Sequence, residues 1–174
     1  MDGRTLVASR TATWAARRDV VVLAAIGNEG SMYGSRTVNS PADADSVLAV
    51  GAVTEGGLLC PFSSMGPTAD GRIKPDLVAY GCTVPVATGE GGDAYYEGGQ
   101  GTSYAAPLVA GMAVLLRQMR PDWTAAQIRD SLKASGSRMA APDTMQGWGL
   151  PDLRRIGSIV ARPAPASDRL PLVR

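Results

Sequence analysis

Two uninterrupted apolar runs, Val20 to Ile26 and Val47 to Val53, set the narrowest limits on what this chain can fold into. Both are short, rich in β-branched residues and free of the polar alternation of a half-wet strand. They predict strands buried on both faces of a parallel sheet. An amphipathic segment, Thr5 to Arg18, precedes the first run, with Leu6, Val7, Trp14 and Ala15 able to share one face, and it predicts a surface helix. Helix followed by buried strand gives the α/β class. Parallel neighbours need a crossover, and between these runs a Gly- and Ser-rich loop ending in Ser40-Pro41 stands where a helix is usual.

The rest of the chain reads in the same terms. Phe62 to Pro67 and Lys74 to Gly81 carry the Gly and Pro punctuation of short strands and outer connections at the sheet rim. Gly89 to Gly99, around Tyr95-Tyr96, predicts a hairpin that feeds Gly101. From Ala105 to Met119 the pattern is apolar nearly all round, which predicts a helix buried through the centre of the domain. Gly111 costs such a helix about 1 kcal/mol relative to Ala, so close packing against a strand is expected there. Arg117 and Arg120 suit its C-terminal end, and Pro121 stops it. Thr124 with Gln127 is a capping-box pattern for a helix bearing Ile128 and Leu132, which Gly136 can end. Gly147 to Leu150 predicts a tight turn before a short helix near Pro151 to Ile156. Residues 1–160 thus form one domain, and the Pro- and Arg-containing residues 161–174 a tail or linker.

Composition excludes several roles. The chain has 174 residues, 45% of them hydrophobic, and a net charge of +1, which suits one globular domain. Of its 17 basic residues only Lys74 and Lys133 are lysines, and the arginines are scattered singly or in pairs. No basic track and few aromatics mean no nucleic-acid partner. No apolar stretch approaches a membrane span. Cys60 and Cys82 lack metal-ligand spacing and the chain has no histidine, so buried free thiols are expected, with a disulfide as the alternative.

Two loops carry the chemistry. Gly101-Thr102-Ser103 opens the long apolar helix, placing a hydroxyl beside backbone N–H groups that have no intrahelical partner. Gly27-Asn28-Glu29-Gly30 ends the first strand, on the edge where parallel α/β proteins build their sites. Each alone reads equally as local structure, Ser103 as a helix cap and Asn28 as a turn residue.

Taken together, Gly101-Thr102-Ser103-Tyr104-Ala105-Ala106-Pro107 resembles the nucleophile motif of the subtilisin-like serine proteases, and Ala24 to Gly30 resembles the motif carrying their oxyanion asparagine. Ser40-Pro41-Ala42, Phe62 to Pro67, Lys74-Pro75-Asp76 and Gly147 to Leu150 are also similar to family segments, so the resemblance runs from about Asp2 to Ile156. It implies a three-layer subtilisin-like α/β fold with a mainly parallel sheet, of which this chain is the C-terminal portion. It implies Ser103 as nucleophile and Asn28 as oxyanion donor, together the catalytic pair. Ala25, Ile26, Gly27, Asn39 and Thr102 are implied as the substrate-binding surroundings, and Ser40-Pro41 as a cis peptide. The implied partner is a polypeptide substrate, and the implied localisation secreted or extracytoplasmic. Relatives often hold calcium, but no carboxylate cluster here has ligand spacing, Asp43 and Asp45 being the nearest, so no cofactor is expected.

The departures from the family are as informative. A serine hydroxyl needs a base, and the family uses a histidine oriented by an aspartate, both preceding the oxyanion asparagine. Neither is present here, which implies an upstream half of the domain as a partner and an inactive isolated chain. Related sedolisins use Ser-Glu-Asp, but with aspartate where Asn28 stands. A Ser-Lys dyad is disfavoured, since Lys74 and Lys133 fall in rim and outer-helix segments, and Asp76 and Asp143 read as turn and capping residues. The alternatives to an endopeptidase domain are a non-catalytic binding or scaffold module, or a decayed gene product.

Overall fold

The structure, a computed structural model of the chain, describes residues 1–33, 36–88 and 95–160. Its centre is a three-stranded parallel sheet of order β1-β2-β3, formed by Leu23–Ala25, Leu48–Val53 and Leu77–Tyr80. Every residue of β2 is buried, as expected for a central strand covered on both faces. Alternation along β2 sends Leu48, Val50 and Ala52 into one core with Leu77 and Ala79. Ala49 goes to the opposite side with Ile26, Val38 and Ala42.

Helices cover the first side. Helix α3, Thr102–Met119, contributes Ala105, Val109, Ala113 and Leu116, and α4, Ala125–Ala134, contributes Ile128 and Leu132. Ile156 of α5, Leu153–Val160, closes the same core. On the second side α1, Val7–Ala16, packs Ala12 against Ala44 and Val47. Helix α2 is a short turn, Gly30–Tyr33, within the crossover from β1 to β2. The result is three layers, helices on both faces of a parallel sheet. A separate antiparallel ribbon pairs β4, Val84–Thr88, with β5, Tyr95–Gly99, and leads into α3. Part of the expected 89–99 hairpin and the whole 161–174 tail lie outside the described residues.

Local signals work as their chemistry dictates. Thr124 and Gln127 form both bonds of the capping box at the start of α4. Ser40-Pro41 is cis, as are Gly66-Pro67 and Lys74-Pro75. Cys60 and Cys82 are joined as a disulfide with Cα atoms 6.3 Å apart, which corrects the expectation of free thiols.

Three expectations fail, and for related reasons. The first apolar run is not buried on both faces: β1 is an edge strand, its residues are half-buried, and Val20 is exposed. Leu6, Val7 and Trp14 face solvent, while α1 buries Ser9 and Ala12 instead. Helix α3 buries only one side, leaving a stripe of Tyr104, Leu108, Gly111 and Leu115 on its surface, with Val114 and Met119 beside it. An apolar pattern reports what a helix can bury, and the described residues supply cover for only one face.

Gly111 shows the difference most directly. A Cβ built there would have no neighbour within 4 Å, so no strand packs against it. Gly111→Ala is therefore expected to stabilise the chain by up to about 1 kcal/mol, since Ala restricts the unfolded backbone and meets nothing in the folded one. Urea unfolding of the two chains, compared at their midpoints, checks the sign.

Candidate active site

The site forms where the C-terminal end of β1 meets the N-terminus of α3. Gly27, with φ of 121°, turns the chain out of the strand, and Asn28 follows on the exposed rim. Thr102, 1% exposed, anchors the turn. Its backbone N–H donates to Asn28 Oδ1 at 2.9 Å, and its hydroxyl lies 3.0 Å from the same oxygen and 3.2 Å from the Gly27 carbonyl oxygen. A backbone N–H can only donate, so the side-chain atom facing Thr102 is the amide oxygen. The Asn28 NH₂ group is therefore turned away from Thr102, toward Gly101.

Gly101 shows what that amide faces. An atom at its Cβ position would lie 3.5 Å from Asn28 Nδ2 and 3.8 Å from Ser103 N. Two N–H donors thus flank one small volume. Gly101 leaves that volume empty, and its φ of 150° is a backbone conformation few other residues tolerate. Ser103 is exposed in the first turn of α3, and no described residue hydrogen-bonds its hydroxyl. A small anionic oxygen held between these donors would also sit at the positive end of the helix dipole.

The other residues named from sequence divide into two groups. Ala25 is half-buried at the end of β1, and Gly27 and Thr102 are bonded to each other as described. The Ile26 side chain is fully buried against Val38, Ala42 and Ala49, which leaves its backbone as the part that could face a substrate. Its carbonyl oxygen accepts from Asn39 N at 2.9 Å. The Asn39 amide is not free either, since it donates to Glu29 Oε2 at 3.0 Å.

Glu29 and Ser64 are the residues that sequence reasoning missed. The Ser64 hydroxyl donates to Glu29 Oε2 at 2.8 Å and accepts from Glu29 N at 3.1 Å, while Ser64 N donates to the Gly27 carbonyl oxygen at 3.0 Å. Gly30 N donates to the Phe62 carbonyl oxygen, completing a clamp on the Asn28 turn from the 62–64 segment. Glu29 beside two hydroxyl- and amide-bearing segments was the available signal, but nothing local in the sequence says which way the carboxylate points. Both lysines are engaged with Asp76, which removes them as bases for Ser103.

The fold thus brings the Asn28 turn, at the carboxyl edge of a parallel sheet, against the first turn of α3. The chain belongs to the subtilase family, whose model, Peptidase_S8, matches residues 2–149. It is similar to the membrane-bound transcription factor site-1 protease of Mus musculus, 36% identical over 163 residues that cover 88% of this chain and 15% of that protein. It is similar also to subtilisin amylosacchariticus of Bacillus subtilis subsp. amylosacchariticus, 41% identical over 118 residues, or 68% of this chain and 29% of that one. Among solved structures, the self-cleaved protease domain of PatA matches with a TM-score of 0.72 at 28% identity, covering 92% of this chain and 58% of that one. The chain thus spans much less than the full length of the relatives it matches.

The clamp has a pH signature. The Ser64 hydroxyl, with smaller help from Asn39 and the Asn28 backbone, holds the Glu29 carboxyl below its ordinary 4.5 against the opposing effect of burial. A depressed carboxyl pKa contributes stability that is complete above the unfolded value and is lost as pH falls through the folded one. Glu29→Gln should therefore flatten the acid limb of stability below about pH 4.5 and leave its neutral-pH shape unchanged. Urea midpoints across that range test it, and an unchanged acid limb would contradict the clamp.

Proposed function

We propose that this chain is the C-terminal part of the catalytic domain of a serine endopeptidase, with Ser103 as nucleophile. The observation that carries the reading is the pair of donors, Asn28 Nδ2 and Ser103 N, flanking one space at the start of the helix that bears Ser103. In this mechanism the Ser103 oxygen attacks the scissile carbonyl carbon and loses its proton to a base. The carbonyl oxygen becomes an anion between the two donors. Collapse expels the amine, which takes the proton, and water then hydrolyses the acyl-enzyme. Asparagine suits the role because its NH₂ donates without a charge that must be desolvated. Ala25, Gly27 and Asn39 border the position of the substrate residue before the cleaved bond, and Thr102 acts by fixing the Asn28 amide.

The base comes, in this reading, from an upstream half of the domain that bears the histidine and aspartate. Two features of the fold support a missing layer. The outer edge of β1 is unpaired among the described residues, and the Tyr104-Leu108-Gly111-Leu115 stripe of α3 lies open beside the serine. Solved relatives extend well beyond the matched region, this chain covering 52% to 58% of them. No helix among the described residues is long and apolar enough to cross a membrane, and a secreted or extracytoplasmic setting is proposed on the family alone. The lack of any histidine in 174 residues favours a second reading, a non-catalytic module that keeps the cleft.

A fluorophosphonate probe separates the two. In a subtilisin, loss of the histidine alone costs about 10⁶-fold in turnover. The chain alone is therefore expected to leave Ser103 unlabelled, and a mixture with the upstream half of a close relative to label it, with Ser103→Ala abolishing the signal. Protease-like labelling by the chain alone would overturn the missing-base reading. Failure of the mixture, with binding of the two halves demonstrated, would favour the non-catalytic module.

A further inference from the structure

Helix α1 has two unlike sides. Ser9 and Ala12 fix it to the domain: the Ser9 hydroxyl donates to Asp43, which also accepts from Gly3 N, and Ala12 packs against Ala44 and Val47. The opposite side carries Val7, Arg10, Trp14 and Arg17, whose spacing of three or four residues lines them up along the helix. Val7 is 75% exposed and Trp14 57%, and Leu6, just before the helix, is exposed as well. Arg4, Val7, Arg10, Thr13, Trp14 and Arg17 border a surface depression of about 760 Å³. A helix already held by its other side gains nothing for the core from large apolar side chains facing water, so this face is fitted to something outside the chain.

The charge on this face has one sign. No described residue makes an ion pair or hydrogen bond with the guanidinium of Arg4, Arg10 or Arg17. The Arg18 guanidinium lies 3.6 Å from the centre of the Trp14 ring, which orients the indole and keeps a fourth positive charge beside it. The two acids that bracket the helix are engaged elsewhere. Asp2 accepts from Arg4 N, Thr5 N and the Thr5 hydroxyl, and Asp19 from Ala125 N and the Arg117 guanidinium. The complement of this face is therefore anionic, and because Leu6, Val7 and Trp14 stand among the arginines it must also offer apolar contact at the same depth. The headgroup layer of an anionic bilayer does both. Its phosphates suit the guanidinium fork, and the acyl carbons just below them suit aliphatic side chains and an indole. An acidic protein surface would match the arginines but would need separate apolar pockets in register for the other three side chains.

We propose that α1 docks this chain on the surface of an anionic lipid bilayer, the helix lying in the plane of the interface. Leu6, Val7 and Trp14 reach the level of the first acyl carbons, while Arg4, Arg10 and Arg17 hold lipid phosphates over the depression between them. The helix is folded and anchored before it meets the membrane, so docking carries no cost of ordering it. The association is peripheral, and its electrostatic part weakens with salt. It also leaves the other layer free, since α1 and α3 lie on opposite faces of the sheet.

The test uses the full 174-residue chain, co-sedimented with vesicles of phosphatidylcholine alone or with about one-third phosphatidylglycerol, the anionic lipid supplying the surface potential. Bromine-labelled acyl chains quench the fluorescence of an indole that reaches them, and circular dichroism confirms that each variant is folded. The wild-type chain is expected to bind the anionic vesicles at low salt, to leave the neutral ones, and to lose fluorescence to the bromine label. Trp14→Phe should bind without that loss, since Trp123 is buried and Trp148 half-buried in the domain. Arg10→Gln with Arg17→Gln should lower the partition coefficient roughly 30-fold. Leu108→Ser with Leu115→Ser, on the open stripe of α3, should bind as the wild type does. Equal binding to neutral vesicles, indifference to the arginine changes, quenching that survives Trp14→Phe, or loss of binding in the α3 variant each overturns the proposal. So does a wild-type chain that binds soluble poly-L-glutamate and neither vesicle, which would mark the face as a site for an acidic protein.

Discussion

The contact between Thr102 and Asn28 is the one on which the site depends, because it joins the end of an edge strand to the start of a helix 74 residues further along the chain. Neither partner could hold its place alone. Asn28 sits on a turn that leaves β1, and a turn residue on an exposed rim has no reason to fix its side-chain amide. Thr102 supplies one, by presenting a backbone N–H that the orphan first turn of α3 must spend somewhere. The helix end thereby satisfies part of its own deficit and orients a donor at the same time. On the far side of the turn, Ser64 and Glu29 hold the backbone so that this orientation is not lost to rotation of the loop.

Much of the fold could be read from the sequence, because burial in a parallel sheet leaves a strong mark. Val47 to Val53 contains no polar side chain, and β2 is buried throughout. The capping box at Thr124 and Gln127 was equally legible, being a local arrangement whose chemistry is complete within four residues. The errors fall where an apolar pattern exceeds the cover available. Val20 to Ile26 and the outer face of α3 have sequences suited to an interior, and in this chain they form an edge and a surface. A sequence states the environment for which each face is fitted, while the structure states which neighbours are present to supply it.

The site was legible in its two poles and obscure between them. Ser103 and Asn28 stand in motifs whose residue types imply chemistry at a helix start and a strand end. Ile26, in contrast, sits inside one of these motifs with its side chain buried in the core against Val38, Ala42 and Ala49. Strand alternation separates neighbours in this way, so adjacency in a motif does not mean adjacency in a pocket. Asp76 was read as a turn residue and is a buried hub of charge, because Ala49 of β2 and Lys133 of α4, both distant in sequence, join the neighbouring Lys74 on its carboxylate.

Placing the serine on α3 also has a consequence for whatever covers that helix. Ser103 opens the helix whose outer stripe, from Tyr104 to Leu115, is wet. Under the proposed function, a segment that dries this stripe also comes to lie beside the serine, so burial of the apolar face and completion of the site are one event.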